Sequence, residues 1–137
     1  MSADILCLGE PLVEFTRMED GRYQRSIGGD TSNAAIAAAR QGASVGYLTA
    51  LGADRFGDAV IEAWAKEGVA AGHVARHPTA PTGIYFIDPD PEDRQFTYYR
   101  AGSAASLMRA SDLPAAAIRE ARCLHLSGIT LAVSDDL

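Results

Sequence analysis

Apolar positions along this chain fall into short runs that alternate with helical patterns. Ile5-Leu6-Cys7-Leu8 is an apolar run closed by Gly9, the form of a buried strand. The chain stays extended over residues 11–15, with Glu14 projecting, and turns at Met18-Glu19-Asp20-Gly21. Residues 23–27 read as a second short strand. An alanine-rich helix is expected over 33–41, closed by Gly42 in a left-handed cap. Its small side chains allow close packing on a sheet. Residues 45–51 form the next buried strand. A helix then carries Ala59, Val60 or Ile61, Ala63, Trp64 and Ala65 as apolar positions, runs to Glu67 and stops at Gly68. Strand, helix, strand, helix is the order of a parallel α/β sheet.

The rhythm then changes. Residues 82–88 and 94–100 alternate as two strands about the acidic, proline-rich turn Pro89-Asp90-Pro91-Glu92-Asp93. This hairpin carries Tyr85, Tyr98 and Tyr99, which suit either the core of a small sheet or the wall of a binding site. A helix over 114–121, capped by Ser111 or Asp112, precedes another buried parallel strand over 123–128. Residues 134–137 read as the start of a further helix. A last strand with nothing beyond it leaves a sheet edge unpaired, so the chain is expected to be incomplete.

A length of 137 residues suits one core and a single domain. The net charge of -6, with Lys66 as the single lysine, argues against a nucleic-acid partner. An anionic ligand would need local arginines. No signal peptide is visible, and no apolar run approaches the ~20 residues that span a bilayer. Cys7 and Cys123 lie in apolar segments and read as buried reduced thiols, which fits a cytoplasmic compartment. Neither a GxxxxGK[ST] loop nor a GxGxxG fingerprint occurs.

One segment carries candidate chemistry: Ser26-Ile27-Gly28-Gly29-Asp30-Thr31-Ser32-Asn33. Adjacent glycines let backbone amides approach a ligand. Asp30 and Asn33 then place a carboxylate and an amide beside that opening. Such groups suit a polyhydroxylated ligand better than a phosphate, which an aspartate would repel. The same residue types also make an ordinary helix-capping turn, and these residues alone leave both readings open.

The double-glycine segment, the run Thr49-Ala50-Leu51-Gly52-Ala53-Asp54-Arg55-Phe56-Gly57 and the tyrosine hairpin together resemble the N-terminal half of a ribokinase-like (PfkB-type) sugar kinase. Within that family the chain is most similar to 2-keto-3-deoxygluconate kinases, on Gly28-Gly29-Asp30-Thr31-Ser32-Asn33, Gly9-Glu10-Pro11-Leu12-Val13-Glu14-Phe15, Phe96-Thr97-Tyr98-Tyr99-Arg100 and Leu124-His125-Leu126-Ser127-Gly128-Ile129. Ribokinases usually carry a lysine where Asp30 stands, and fructokinases a small residue. The resemblance implies an α/β fold, a parallel sheet flanked by helices, with a small β-sheet lid formed by residues 15–27 and 82–100. The sugar would lie between the two, and the lid would also serve as the contact of a homo-oligomer.

The resemblance further implies a small sugar acid as substrate, with no nucleic acid or membrane as partner. ATP and Mg2+ would be bound mainly by a C-terminal half that has no counterpart here. The Gly-Ala-Gly-Asp motif with its catalytic aspartate is absent, so no catalytic residue is assigned, and the isolated chain is expected to be inactive. Gly28, Gly29, Asp30 and Asn33 would contact sugar hydroxyls. Glu14 would lie near the sugar or be a solvated strand carboxylate. Tyr85 and Tyr98 or Tyr99 would line the lid side; alternation puts Tyr98 and Arg100 on one face and Tyr99 on the other. Arg100 would hold the substrate carboxylate through a bidentate pair, or else form an ion pair with the acidic turn. His125 reads as a structural histidine, and His73 and His77 as loop or strand-edge residues without metal-ligand spacing. Trp64 reads as helix core, and Asp90, Glu92 and Asp93 as a solvated turn. The expected reaction of the complete protein is ATP-dependent phosphorylation of 2-keto-3-deoxy-D-gluconate to its 6-phosphate. Another sugar kinase of the family (fructokinase or ribokinase) and a non-catalytic sugar-binding fragment stand as alternatives.

Overall fold

Two separate sheets share the apolar residues of the chain. The structure is a computed structural model that describes residues 3–137. Its elements run β1 (Ile5–Leu8), β2 (Leu12–Arg17), β3 (Tyr23–Gly28), α1 (Asp30–Arg40), β4 (Val45–Gly52), α2 (Arg55–Glu67), β5 (Val69–His77), β6 (Ile84–Asp88), β7 (Gln95–Tyr99), α3 (Ala115–Glu120), β8 (Cys123–His125) and α4 (Gly128–Val133).

The first sheet has the order β5-β4-β1-β8 and is parallel throughout. Every residue of β4 is buried, as expected of a parallel strand covered on both faces. Cys7, Val45, Tyr47 and Leu51 face α1 and α2, where they meet Ala35, Val60 and Trp64. Leu6, Leu8, Leu48 and Ala50 face the other way, onto Ala104, Ala105 and Met108. Trp64 is fully buried, its ring centroid 4.2 Å from that of Tyr47, and its indole N–H donates to Ser32 Oγ at 3.0 Å. Truncating such a residue costs about 3–5 kcal/mol, so Trp64, with the equally buried Val60, anchors α2 on the sheet.

The helix ends follow local chemistry. Asp54 caps α2 by accepting the Gly57 N–H at 2.8 Å, and Gly68 closes that helix at φ 78°. α1 starts at Asp30 rather than at the expected Asn33. Gly29, at φ 101°, turns the chain straight into the helix, so Thr31 and Ser32 become its buried first turn. Thr31 there shares a hydrogen bond of 2.5 Å with the Tyr47 hydroxyl.

The second sheet has the order β3-β2-β6-β7. β2 is antiparallel to β3 and parallel to β6, and β6 and β7 form the antiparallel hairpin. Alternation gives it two faces. Val13, Phe15, Ile27 and Ile84 join the core beneath α2, where Phe15 packs edge-on against Phe56 at 5.8 Å. Leu12, Glu14, Tyr85, Ile87 and Tyr98 share the opposite face.

Several expectations need correction. Residues 69–77, assigned to no element in the sequence, form β5; it is an edge strand with only Val69 fully buried, so no apolar run marks it, and His73 and His77 lie on it at the sheet edge. β8 is shorter than expected and is not buried: Cys123 and Leu124 are exposed, because β8 pairs only with β1 at the sheet edge. α3 begins after Pro114 without a side-chain cap, while Asp112 accepts the Arg109 N–H in the preceding turn. The final helix is α4, which ends before Ser134. Ser127 and Thr130 form a reciprocal capping box at its start, so residues 134–137 follow a helix instead of opening one. Among the described residues no helix is long and apolar enough to cross a membrane.

Candidate functional site

The second sheet's polar face gathers one connected set of side chains. Glu14 projects from β2. Its Oε1 accepts from the hydroxyls of Thr16 and Ser26, both at 3.1 Å, and its Oε2 accepts from the Tyr85 hydroxyl. Burial first, and then the bond to Glu14, push the Tyr85 pKa up, so the phenol stays protonated and donates. Tyr85 stacks on Tyr98 with centroids 5.3 Å apart, and Tyr98 stacks on Phe96 at 6.4 Å. The cross-strand pairing Tyr85↔Tyr98 sets the first of these stacks.

Arg100 follows β7, and its Cζ lies 5.6 Å from the centroid of the Tyr98 ring. Its partner is Glu10, not the acidic turn: Nε donates to Glu10 Oε2 at 2.7 Å, and Nη2 lies 2.5 Å from the same oxygen. The other oxygen, Oε1, accepts from Ser103 Oγ at 2.6 Å. Burial pushes the Glu10 pKa up, opposed by the Ser103 hydrogen bond and the Arg100 charge. Asp90, Glu92 and Asp93 stay solvent-exposed.

The two glycines are required by space. A Cβ on Gly28 would run into the Tyr85 hydroxyl, and one on Gly29 would lie 2.6 Å from the Glu10 carbonyl oxygen. Asp30 is exposed and accepts the Thr31 N–H at 2.6 Å. Asn33, also exposed, lines a groove between β3 and the α1–α2 pair together with Ser26, Ile36 and Arg40. Ser26 therefore joins that groove to Glu14.

Of the residues picked out in the sequence, Gly28, Glu14, Tyr85, Tyr98 and Arg100 form one surface, and Gly29, Asp30 and Asn33 flank it at the start of α1. Glu10 and Ser103 are additions. Glu10 had a signal, since a carboxylate just past the C-terminal end of a parallel strand stands where α/β sheets bind ligands. The set offers carboxylate acceptors, an amide, an aromatic wall and a partly exposed guanidinium. That chemistry suits a small hydroxylated molecule with an anionic group. Among the described residues no group of three or more His, Cys, Asp or Glu side chains stands together to hold a metal ion.

Residues 2–137 match the pfkB family carbohydrate kinase model. The chain belongs to that family. Kinases of the pfkB family transfer phosphate to carbohydrates and bind ATP. This pfkB chain is 37% identical over 140 residues to the 2-dehydro-3-deoxygluconokinase of Thermoproteus tenax, covering 96% of itself and 43% of that protein. It superposes on the PfkB protein from Polaromonas sp. JS666 with a TM-score of 0.92 at 31% identity, over 98% of this chain and 48% of the other. The fructokinase with bound ATP from Xylella fastidiosa gives 0.81 at 33% identity, over 88% and 38%. The pfkB chain thus spans less than half the length of these relatives.

Proposed function

We propose that this chain supplies the sugar-binding part of a kinase that phosphorylates 2-keto-3-deoxy-D-gluconate to its 6-phosphate. ATP and Mg2+ would be held by the part of such kinases that this chain does not span. The sequence carries no GxxxxGK[ST] loop, and among the described residues no carboxylate cluster fits Mg2+, so no step through either is assigned to these residues. Gly28, Gly29, Asp30, Asn33 and Glu14 meet the sugar hydroxyls, Tyr85 and Tyr98 wall the site, and Arg100 holds the carboxylate. The carrying observation is Arg100, a partly exposed guanidinium set at the edge of a face that also carries the Glu14 carboxylate and the Tyr85–Tyr98 wall. Similarity to the Thermoproteus tenax enzyme supports the choice of a 2-keto-3-deoxy sugar acid.

Arg100→Ala should remove a charge-assisted pair worth about 1.5–3 kcal/mol, roughly a tenfold to hundredfold loss of sugar-acid affinity by calorimetry. Binding of D-fructose should stay unchanged. Tighter binding of fructose or ribose than of the keto acid by the unsubstituted chain would reject the substrate class. It would favour a second reading, a fructokinase, which the Xylella fastidiosa likeness supports.

The second sheet, including residues 15–27 and 82–100, would act as the lid. Its other face carries Tyr23 and Tyr99, 51% and 63% exposed, against Phe86, and would meet a second copy of the chain. Sedimentation of the full chain as a monomer at micromolar concentration would exclude that contact.

A further inference from the structure

Glu10 is buried, with its side chain 2% exposed, yet its cation partner Arg100 is 26% exposed and lies 90 residues further along the chain. A pair this desolvated adds little net stability, because the loss of hydration offsets the attraction. What it does supply is a fixed orientation. Arg100 Nε and Nη2 both address Glu10 Oε2, and the Tyr98 ring holds the guanidinium on one face. Ser103 holds Oε1, which keeps the carboxylate from rotating. Gly83 leaves the room for this arrangement, since a Cβ there would lie 2.6 Å from Oε1. Arg100 also lines an open recess together with Gly102, Ser106, Ile129 and the Asp135 carboxylate, and its Nη1 side is not engaged by Glu10.

We propose that Glu10 is the positioning residue for recognition of the substrate carboxylate. By clamping the Nε–Nη2 edge of Arg100, it aims the Nη1 side at the ligand and so sets the preference for a sugar acid over a neutral sugar. The inference rests on the reading of Arg100 as the carboxylate anchor. Glu10 acts in two ways that substitutions separate. It fixes the direction of the guanidinium, and its own negative charge weakens the attraction that Arg100 exerts on an anion. Glu10→Gln keeps an oxygen that accepts from Arg100 and removes the charge. Glu10→Asp keeps the charge but withdraws it by one methylene, about 1.5 Å. Glu10→Ala removes both.

Calorimetric titration of the full chain with 2-keto-3-deoxy-D-gluconate and with D-fructose separates these effects. Glu10→Asp and Glu10→Ala should weaken the sugar acid about tenfold or more and change fructose by less than about twofold. Glu10→Gln should match or exceed the unsubstituted affinity for the acid. Should the alanine variant not fold, the aspartate and glutamine variants carry the test, since each keeps an oxygen that can accept from Arg100, and in the glutamine variant the amide NH2 donates to Ser103 Oγ instead of accepting from it. Equal weakening of both sugars in the aspartate variant would make Glu10 purely structural and overturn the proposal, as would an unchanged acid affinity. A preference for the acid that is lost in Arg100→Ala but intact in Glu10→Asp overturns the role of Glu10 alone. No preference for the acid in the unsubstituted chain removes the carboxylate anchor, and this inference with it.

Discussion

Replacing Gly28 by alanine sets a methyl group against the Tyr85 hydroxyl, and a double-mutant cycle can measure that conflict. Gly28 has no positive φ, so any effect of Gly28→Ala comes from space and not from backbone strain. The added Cβ would meet the Tyr85 hydroxyl oxygen and lie 3.1 Å from both Cε1 and Cζ. Tyr85 has little freedom to retreat. Its ring is stacked on Tyr98 at 5.3 Å, and its hydroxyl is tied to Glu14. Overpacking of this kind costs about 1–3 kcal/mol. Tyr85→Phe alone removes a hydrogen bond to a carboxylate and should cost about 1–2 kcal/mol, at the low end because Glu14 is only half-buried and water can replace the donor. In the double variant the clashing oxygen is gone, and the two 3.1 Å contacts need only a shift of a few tenths of an ångström. The combined loss should fall short of the sum by about 1–2 kcal/mol. Urea unfolding reads this directly, with fluorescence of Trp64, the single tryptophan, as the probe. A slope of about 1–3 kcal/mol/M turns 1 kcal/mol into a midpoint shift of roughly 0.3–1 M. Additivity to within about 0.5 kcal/mol would refute the steric account of Gly28.

The neighbouring glycine should behave differently. At φ 101°, a Cβ on Gly29 would lie 2.6 Å from the Glu10 carbonyl oxygen and 3.2 Å from Pro11 Cα, both backbone atoms, so Gly29→Ala should cost more than about 3 kcal/mol in urea unfolding. Tyr85→Phe should not relieve it; a loss below about 1 kcal/mol would remove the strain argument. Asp54→Ala removes the cap of α2 together with bonds from the Thr82 N–H and hydroxyl, both at 2.9 Å, and should cost about 2 kcal/mol at neutral pH. Burial raises the Asp54 pKa, but hydrogen bonds from Thr82, Gly57 and Phe56 outweigh it and hold the carboxyl below its usual range. Its stabilisation is therefore present above about pH 4 and is lost as pH falls through the lowered folded value, so urea midpoints of the two proteins should converge in acid and stay apart at neutral pH.

Local signals carried much of the fold. Gly68 and Gly42 both take positive φ where the sequence pattern closes α2 and α1, and β4 is buried throughout, as its apolar run implies. The signals failed where neighbours decide the outcome. β5 has no apolar run because it borders solvent, and β8 looks buried by composition while lying exposed at an edge. α4 was hidden because the strand expected over 123–128 takes in its capping residue Ser127 and its first residue Gly128. On the site face, period-two alternation places Tyr98 and Arg100 together, and the structure has the guanidinium over that ring.

Arg100's partner shows what sequence distance hides. A local reading joins Arg100 to the acidic turn between β6 and β7, the nearest carboxylates along the chain. Those carboxylates are solvated, and an exposed pair gains only about 0–1 kcal/mol. Glu10 is in the opposite position. Left ionised and unpaired in its buried site it would cost several kcal/mol, so the energetic demand for a cation is far greater there than at the turn. The demand of the buried group selects the partner, and it draws the loop after β7 onto the connection between β1 and β2. That contact ties the second sheet to the first, and nothing in the periodicity of either segment announces it. Arg100 is thereby held where a mobile surface arginine would not be, which is the condition that a carboxylate-selective site requires.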